Sequence, residues 1–169
     1  IGSEGSLLLL VVLYGAAGVA VCLVEHRRGL RVIALLFAAV VALQAGTAPP
    51  WDRLALTSGE HVYFRPFLQG VQLLFFHEDA AGGITTVAEG RVGERLERTL
   101  LTNGKFQGNT SGERIAQAGF VIVPTLHLKR FDRALVIGFG TGNTTHVVRS
   151  LGAARIDLAE IAPGILEAA

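Results

Sequence analysis

Three glycines alternate with other residues in ALVIGFGTGNTTHVV, residues 134–148, directly after an apolar run. Gly138, Gly140 and Gly142 leave the backbone bare where a strand would pass into a helix. Such a turn lets main-chain N–H groups approach a ligand closely. Glu160 follows at the end of the next apolar segment, twenty-two residues after Gly138. A carboxylate in that place can accept both hydroxyls of a ribose. The chemistry these residues fit is recognition of a nucleoside.

The spacing narrows the reading. Dinucleotide folds use G-x-G-x-x-G, whereas Asn143 stands where their last glycine would be. A G-x-G-x-G turn is what S-adenosylmethionine-type folds show, where no pyrophosphate has to be cradled. The flanks have the order such a turn needs. RALVIGFG reads as a fully buried parallel strand, NTTHVVRSLG as a short helix closed by Gly152, and ARIDLAEI as a second strand. Pro163 then opens another helix at its first turn. This is the opening βαβ of a doubly wound sheet, so the expected class is α/β with a Rossmann-like domain over residues 125–169.

Upstream, residues 71–124 read as a small β-domain with a connecting helix. VQLLFFHED, GITTVAEG and ERTLLTNGK are rich in β-branched and aromatic residues, and Gly82-Gly83 and Asn103-Gly104 mark turns. They predict a small antiparallel sheet. Ser111 is the expected N-cap of a helix running toward Val123, before Pro124.

Half of the chain is hydrophobic and 17% is charged, with a mean hydropathy of +0.47. The excess lies in residues 6–47. Ser6–Val24 carries no charge over nineteen residues, and at ~1.5 Å per residue it reaches about the hydrocarbon thickness of a bilayer. Leu30–Thr47 is nearly as long and carries only Arg31, which can snorkel. Two transmembrane helices, 6–24 and 30–47, are therefore expected in residues 1–47. Gly15, Ala16, Ala17, Gly18 and Ala20 would let them pack closely. Residues 48–70 read as a membrane-exit linker, with Pro49 and Pro50 stopping the helix and Trp51 at headgroup level. Arg27, Arg28 and Arg31 outnumber Arg53 and Arg65 by one, a slight lean toward a cytoplasmic loop.

A net charge of +1 points to no nucleic-acid partner. The single cysteine, Cys22, excludes disulfides within the chain and cysteine-based metal sites. His77, Glu78 and Asp79 are ligand types, but adjacent strand residues face opposite ways, so only His77 and Asp79 can converge and no metal is expected. His61, His127 and His146 stand alone. Thr110 and Ser111 lack a base at interpretable spacing. Arg91, Arg95 and Arg98 alternate with Glu94 and Glu97 as on a solvated face, and Asn103 reads first as a turn residue. With no methionine, and with PGILEAA closing on a nascent helix, both ends are expected to be cut.

Taken together, PPWDRLALTSG, LLTNGKFQGN, VIVPTLHLKRFDRALVIGFGTGNT and DLAEIAPGILEAA resemble the spermidine synthases, the polyamine aminopropyltransferases. The likeness covers roughly residues 48–169 and is closest to the bacterial branch fused to membrane helices. It implies a small β-domain followed by a Rossmann-like domain. The implied reaction moves an aminopropyl group from decarboxylated S-adenosylmethionine to an amine such as putrescine, releasing methylthioadenosine. Carried over, Gly138, Gly140, Thr141 and Gly142 form the nucleoside loop, Glu160 binds the ribose, and Gln117 borders the cosubstrate. The family's catalytic aspartate would lie beyond residue 169, so no catalytic residue is assigned.

Three positions depart from the family. Thr141 stands where its loop often has an aspartate, Ala116 replaces a tyrosine, and Gly82 an upstream glutamine. These groups grip amines, which keeps S-adenosylmethionine itself, in a methyltransferase-like enzyme, as an alternative cosubstrate. A non-catalytic adenosyl-binding membrane protein is a further one. The implied partners are a small amine and the lipid bilayer, with homo-oligomerisation open. Cytosolic cosubstrates require the nucleoside domain to face the cytoplasm, against the loop-charge lean. Residues 48–169 alone are expected to be poorly soluble, because a two-stranded sheet leaves apolar edges unpaired.

Overall fold

Runs this long with almost no charge leave a helix no polar face, and two long helices open the computed structural model, α1 (Ser3–Val24) and α2 (Arg28–Thr47). The structure describes residues 2–24, 28–64 and 70–169. Arg27 and Arg65, used in the loop-charge comparison, lie outside them. Both helices are long and apolar enough to cross a membrane, with peak mean hydropathies of 2.8 and 2.0. Of the small residues, Gly15 faces α2, where an added Cβ would sit 3.8 Å from Val41 Cγ1, whereas Gly18 has nothing within 4 Å. The Trp51 N–H donates to Glu4 Oε1 at 3.0 Å, joining the two ends of this hairpin. The chain divides into two compact units, Ile1–Trp51 and Asp52–Ala169.

The second unit starts with structure where a linker was expected. Asp52 accepts the Ala55 N–H at 3.0 Å and caps α3 (Arg53–Thr57); Gly59 then turns the chain into α4 (Glu60–Tyr63). The Tyr63 hydroxyl accepts the Phe106 N–H at 2.9 Å, and the Arg53 guanidinium lies 4.6 Å from the Phe76 ring centroid.

Four strands form an antiparallel sheet in sequence order: β1 (Gln72–Asp79), β2 (Gly83–Val92), β3 (Arg95–Thr102) and β4 (Lys105–Asn109). The fourth was not foreseen, since KFQGN lacks β-branched residues; the two-residue turn Asn103-Gly104 brings it in, both residues having positive φ. Asn103 does more than turn the chain. Its Oδ1 accepts the Ile84 N–H at 2.9 Å, tying the β3–β4 turn to the start of β2. Asn103→Gly keeps the turn and Asn103→Ala loses both functions, so alanine is expected to lower stability by about 1–2 kcal/mol, more than glycine. Denaturant melts of the two variants test this order.

The helix α5 (Glu113–Thr125) corrects two expectations. Ser111 is not its cap: Gly112 holds that position, and the Ser111 hydroxyl donates to Glu97 Oε2. Asn109 Oδ1 serves instead, accepting the N–H groups of Ser111 and Glu113. Pro124 lies within the last turn rather than ending the helix, because there it removes only one intrahelical bond.

The parallel pair β5 (Arg133–Ile137) and β6 (Arg155–Ala159) is joined through α6 (Asn143–Ser150), and α7 (Pro163–Ala168) follows with proline in its first turn. Val121, Val136, Val148 and Ala153 form the core under this βαβ unit. β5 is not fully buried as expected. Val136 alone is buried, whereas Leu135 and Ile137 are 64% and 81% exposed. Successive residues of a strand face opposite ways, and α5 and α6 cover only one face. The molecule is thus a mixed helix–sheet structure with two apolar N-terminal helices, a four-stranded antiparallel sheet and one βαβ unit.

Candidate functional site

The glycine turn leaves β5 as the spacing requires. Gly138, Gly140 and Gly142 have φ of 82°, 54° and 74°, values that side-chain-bearing residues rarely adopt. The Gly138 N–H extends the β5–β6 ladder to Ala159 O at 2.8 Å, and Gly142 closes the turn onto Phe139 O at 2.9 Å. Phe139 packs beside a buried cluster of Leu100, Ala162 and Ile165, which anchors the turn to the antiparallel sheet.

Glu160 sits at the end of β6 with its carboxylate folded across the turn. Oε2 accepts the Phe139 N–H at 2.6 Å, and Oε1 accepts those of Ile161 and Ala162 at 2.8 and 2.9 Å. Partial burial pushes its pKa up, but the N–H groups of Ala162, Phe139, Ile161 and Gly140 outweigh that and hold it below the usual carboxylate range. The group anticipated as a ribose acceptor is therefore also the clasp of its own loop.

Gln117 comes from α5 to meet the turn, its Oε1 accepting the Thr141 hydroxyl at 2.8 Å. Gly108 of β4 lies against both: a Cβ there would fall 2.7 Å from Gln117 Nε2 and 2.9 Å from Thr141 Cγ2. All six anticipated positions, Gln117, Gly138, Gly140, Thr141, Gly142 and Glu160, thus belong to one neighbourhood. Beside them opens a cleft of about 170 Å³ whose lining includes Val87, Arg98, Leu100, Asn109, Gly140 and Thr141.

Other polar candidates fall elsewhere. His77 and Asp79 do share a face, with Nε2 and Oδ2 3.9 Å apart. His77 Nδ1 lies 2.9 Å from Glu167 Oε2, which pins α7 to β1. Asp79 is held below the usual carboxylate range chiefly by the Gly82 N–H, opposed by desolvation and helped by the Ala81 N–H, the nearby His77 and the Gly164 N–H. Among the described residues no group of three or more metal-ligating side chains is gathered. Asn103 works in its hairpin. Arg98 is exposed and paired with Glu89, as a solvated face requires, and it also lines the cleft. The sequence signal for that second place is the strand period, which sets Arg98 on the same face as Leu100.

No family model matches the chain, and no curated protein matches it.

Proposed function

We propose that the glycine turn binds the nucleoside of an adenosyl ligand, in a membrane-anchored, spermidine-synthase-like transferase with a Rossmann-like domain. The observation carrying this reading is the convergence of Gly138, Gly140, Gly142, Thr141, Gln117 and Glu160 at one strand end beside an open cleft. The family likeness adds the reaction. An amine nitrogen attacks the aminopropyl carbon of decarboxylated S-adenosylmethionine, the carbon–sulfur bond breaks, and methylthioadenosine leaves. Catalysis of that kind rests on holding the amine in line and on a base that takes its proton.

S-adenosylmethionine itself is the alternative donor, which the departure at position 141 keeps open. Position 141 offers a threonine hydroxyl committed to Gln117 rather than a carboxylate for an amine. With either donor the substrates are cytosolic, which supports a multi-pass protein whose nucleoside-binding part faces the cytoplasm. The deciding experiment is calorimetric titration of the chain in detergent with methylthioadenosine. Saturable binding that is lost in Glu160→Ala is expected. Absence of binding by the unaltered protein would refute the nucleoside reading.

A further inference from the structure

We propose that Arg98 reads the carboxylate of the adenosyl ligand, so that the cleft binds S-adenosylmethionine in preference to its decarboxylated form. This rests on the nucleoside reading above and names the ligand's charged end. The cleft has apolar walls from Val87, Leu100, Ile165 and Ala168, and it borders the glycine turn at Gly140 and Thr141. Arg98 supplies the one charged side chain among its described lining residues.

The other polar side chains there are already engaged. Asn109 accepts two backbone N–H groups and donates to Glu97, Thr110 accepts the Arg98 N–H, and Thr141 donates to Gln117. Arg98 keeps donors in reserve. Glu89, its partner in the β2–β3 register, takes the Nε edge at 2.8 Å. A guanidinium has five N–H donors in a fixed fork, so the terminal nitrogens still match a carboxylate while Glu89 fixes the fork's orientation.

Charge decides between the two donors. S-adenosylmethionine carries a carboxylate beside its sulfonium and ammonium, whereas the decarboxylated form carries two positive charges and no acceptor for a guanidinium. A guanidinium whose fork Glu89 orients can pair with the carboxylate of the first and finds no carboxylate on the second.

The test titrates the full chain in detergent with five ligands. S-adenosylmethionine and decarboxylated S-adenosylmethionine differ by the carboxylate alone. S-adenosylhomocysteine and its own decarboxylated form repeat the comparison without the sulfonium charge, and methylthioadenosine, which lacks the whole amino-acid chain, reports the nucleoside alone. The carboxylated member of each pair is expected to bind about tenfold tighter. Arg98→Met should erase that preference and leave methylthioadenosine unchanged, and Arg98→Lys should keep part of it. Equal binding within the pairs, or a loss in Arg98→Met that falls equally on methylthioadenosine, overturns the proposal while leaving the nucleoside reading intact. Failure of methylthioadenosine to bind the unaltered protein overturns both.

Discussion

Replacing Glu160 by alanine is expected to abolish nucleoside binding and to lower the stability of residues 52–169 by about 2 kcal/mol or more. The clasp explains both effects. The substitution strips acceptors from the N–H groups of Phe139, Ile161 and Ala162 together. Ala162 is 2% exposed, so water cannot readily replace the lost partner there. A hydrogen bond to a charged group is worth about 1.5–3 kcal/mol, and a buried donor left unpaired costs a similar amount; partial exposure of the carboxylate holds the sum near the lower end.

The same clasp sets an acid dependence. The folded-state pKa of Glu160 lies below its ordinary 4.5, so its stabilisation is complete above the unfolded value and is lost as pH falls through the folded one. Denaturant melts between about pH 3 and 7 should therefore decline only below about pH 5. Glu160→Gln removes part of that acid slope. Asp79, also depressed, contributes to the slope that is left. An unaltered slope in Glu160→Gln would show that the carboxylate does not hold the turn.

A second large effect is expected at a glycine with no unusual backbone angle. A Cβ added at Gly82 would lie 2.3 Å from Ala162 Cβ and 2.7 Å from Ala162 Cα. Neither neighbour is the end of a flexible side chain, so the backbone must move. Overpacking of this kind costs about 1–3 kcal/mol. The displacement also has a direction, because the Ala162 N–H is one of the groups Glu160 holds. Gly82→Ala is thus expected to weaken methylthioadenosine binding as well as stability, although residue 82 belongs to the β1–β2 turn. A melt lowered with binding untouched would show that the seam does not reach the site.

The parts of this structure that could be read in advance are those where local chemistry leaves one solution. Nineteen uncharged residues make an apolar helix, and glycines at 138, 140 and 142 mark the positive φ values found there. What could not be read depended on which of several possible partners each group meets. β4 pairs because a turn delivers it, not because KFQGN favours strand. Ser111 has the chemistry of a cap, but Asn109 reaches the same N–H groups first. The burial of Leu135 and Ile137 depends on whether anything covers their face of the sheet. Glu160 was legible as a carboxylate at a strand end; that its own loop would engage both oxygens was not.

The sheet order carries a consequence for how the second unit assembles. Each pairing among β1, β2, β3 and β4 joins neighbours in sequence across a short turn. The parallel pairing of β5 with β6 must instead wait for α6 to form and cross between them. Closing short loops takes less entropy and less time than closing long ones. The antiparallel meander should gain protection from pulsed hydrogen exchange before Gly138 and its ladder partner Ala159 do. The glycine turn would then be among the last features set in place, moulded against a sheet that already stands.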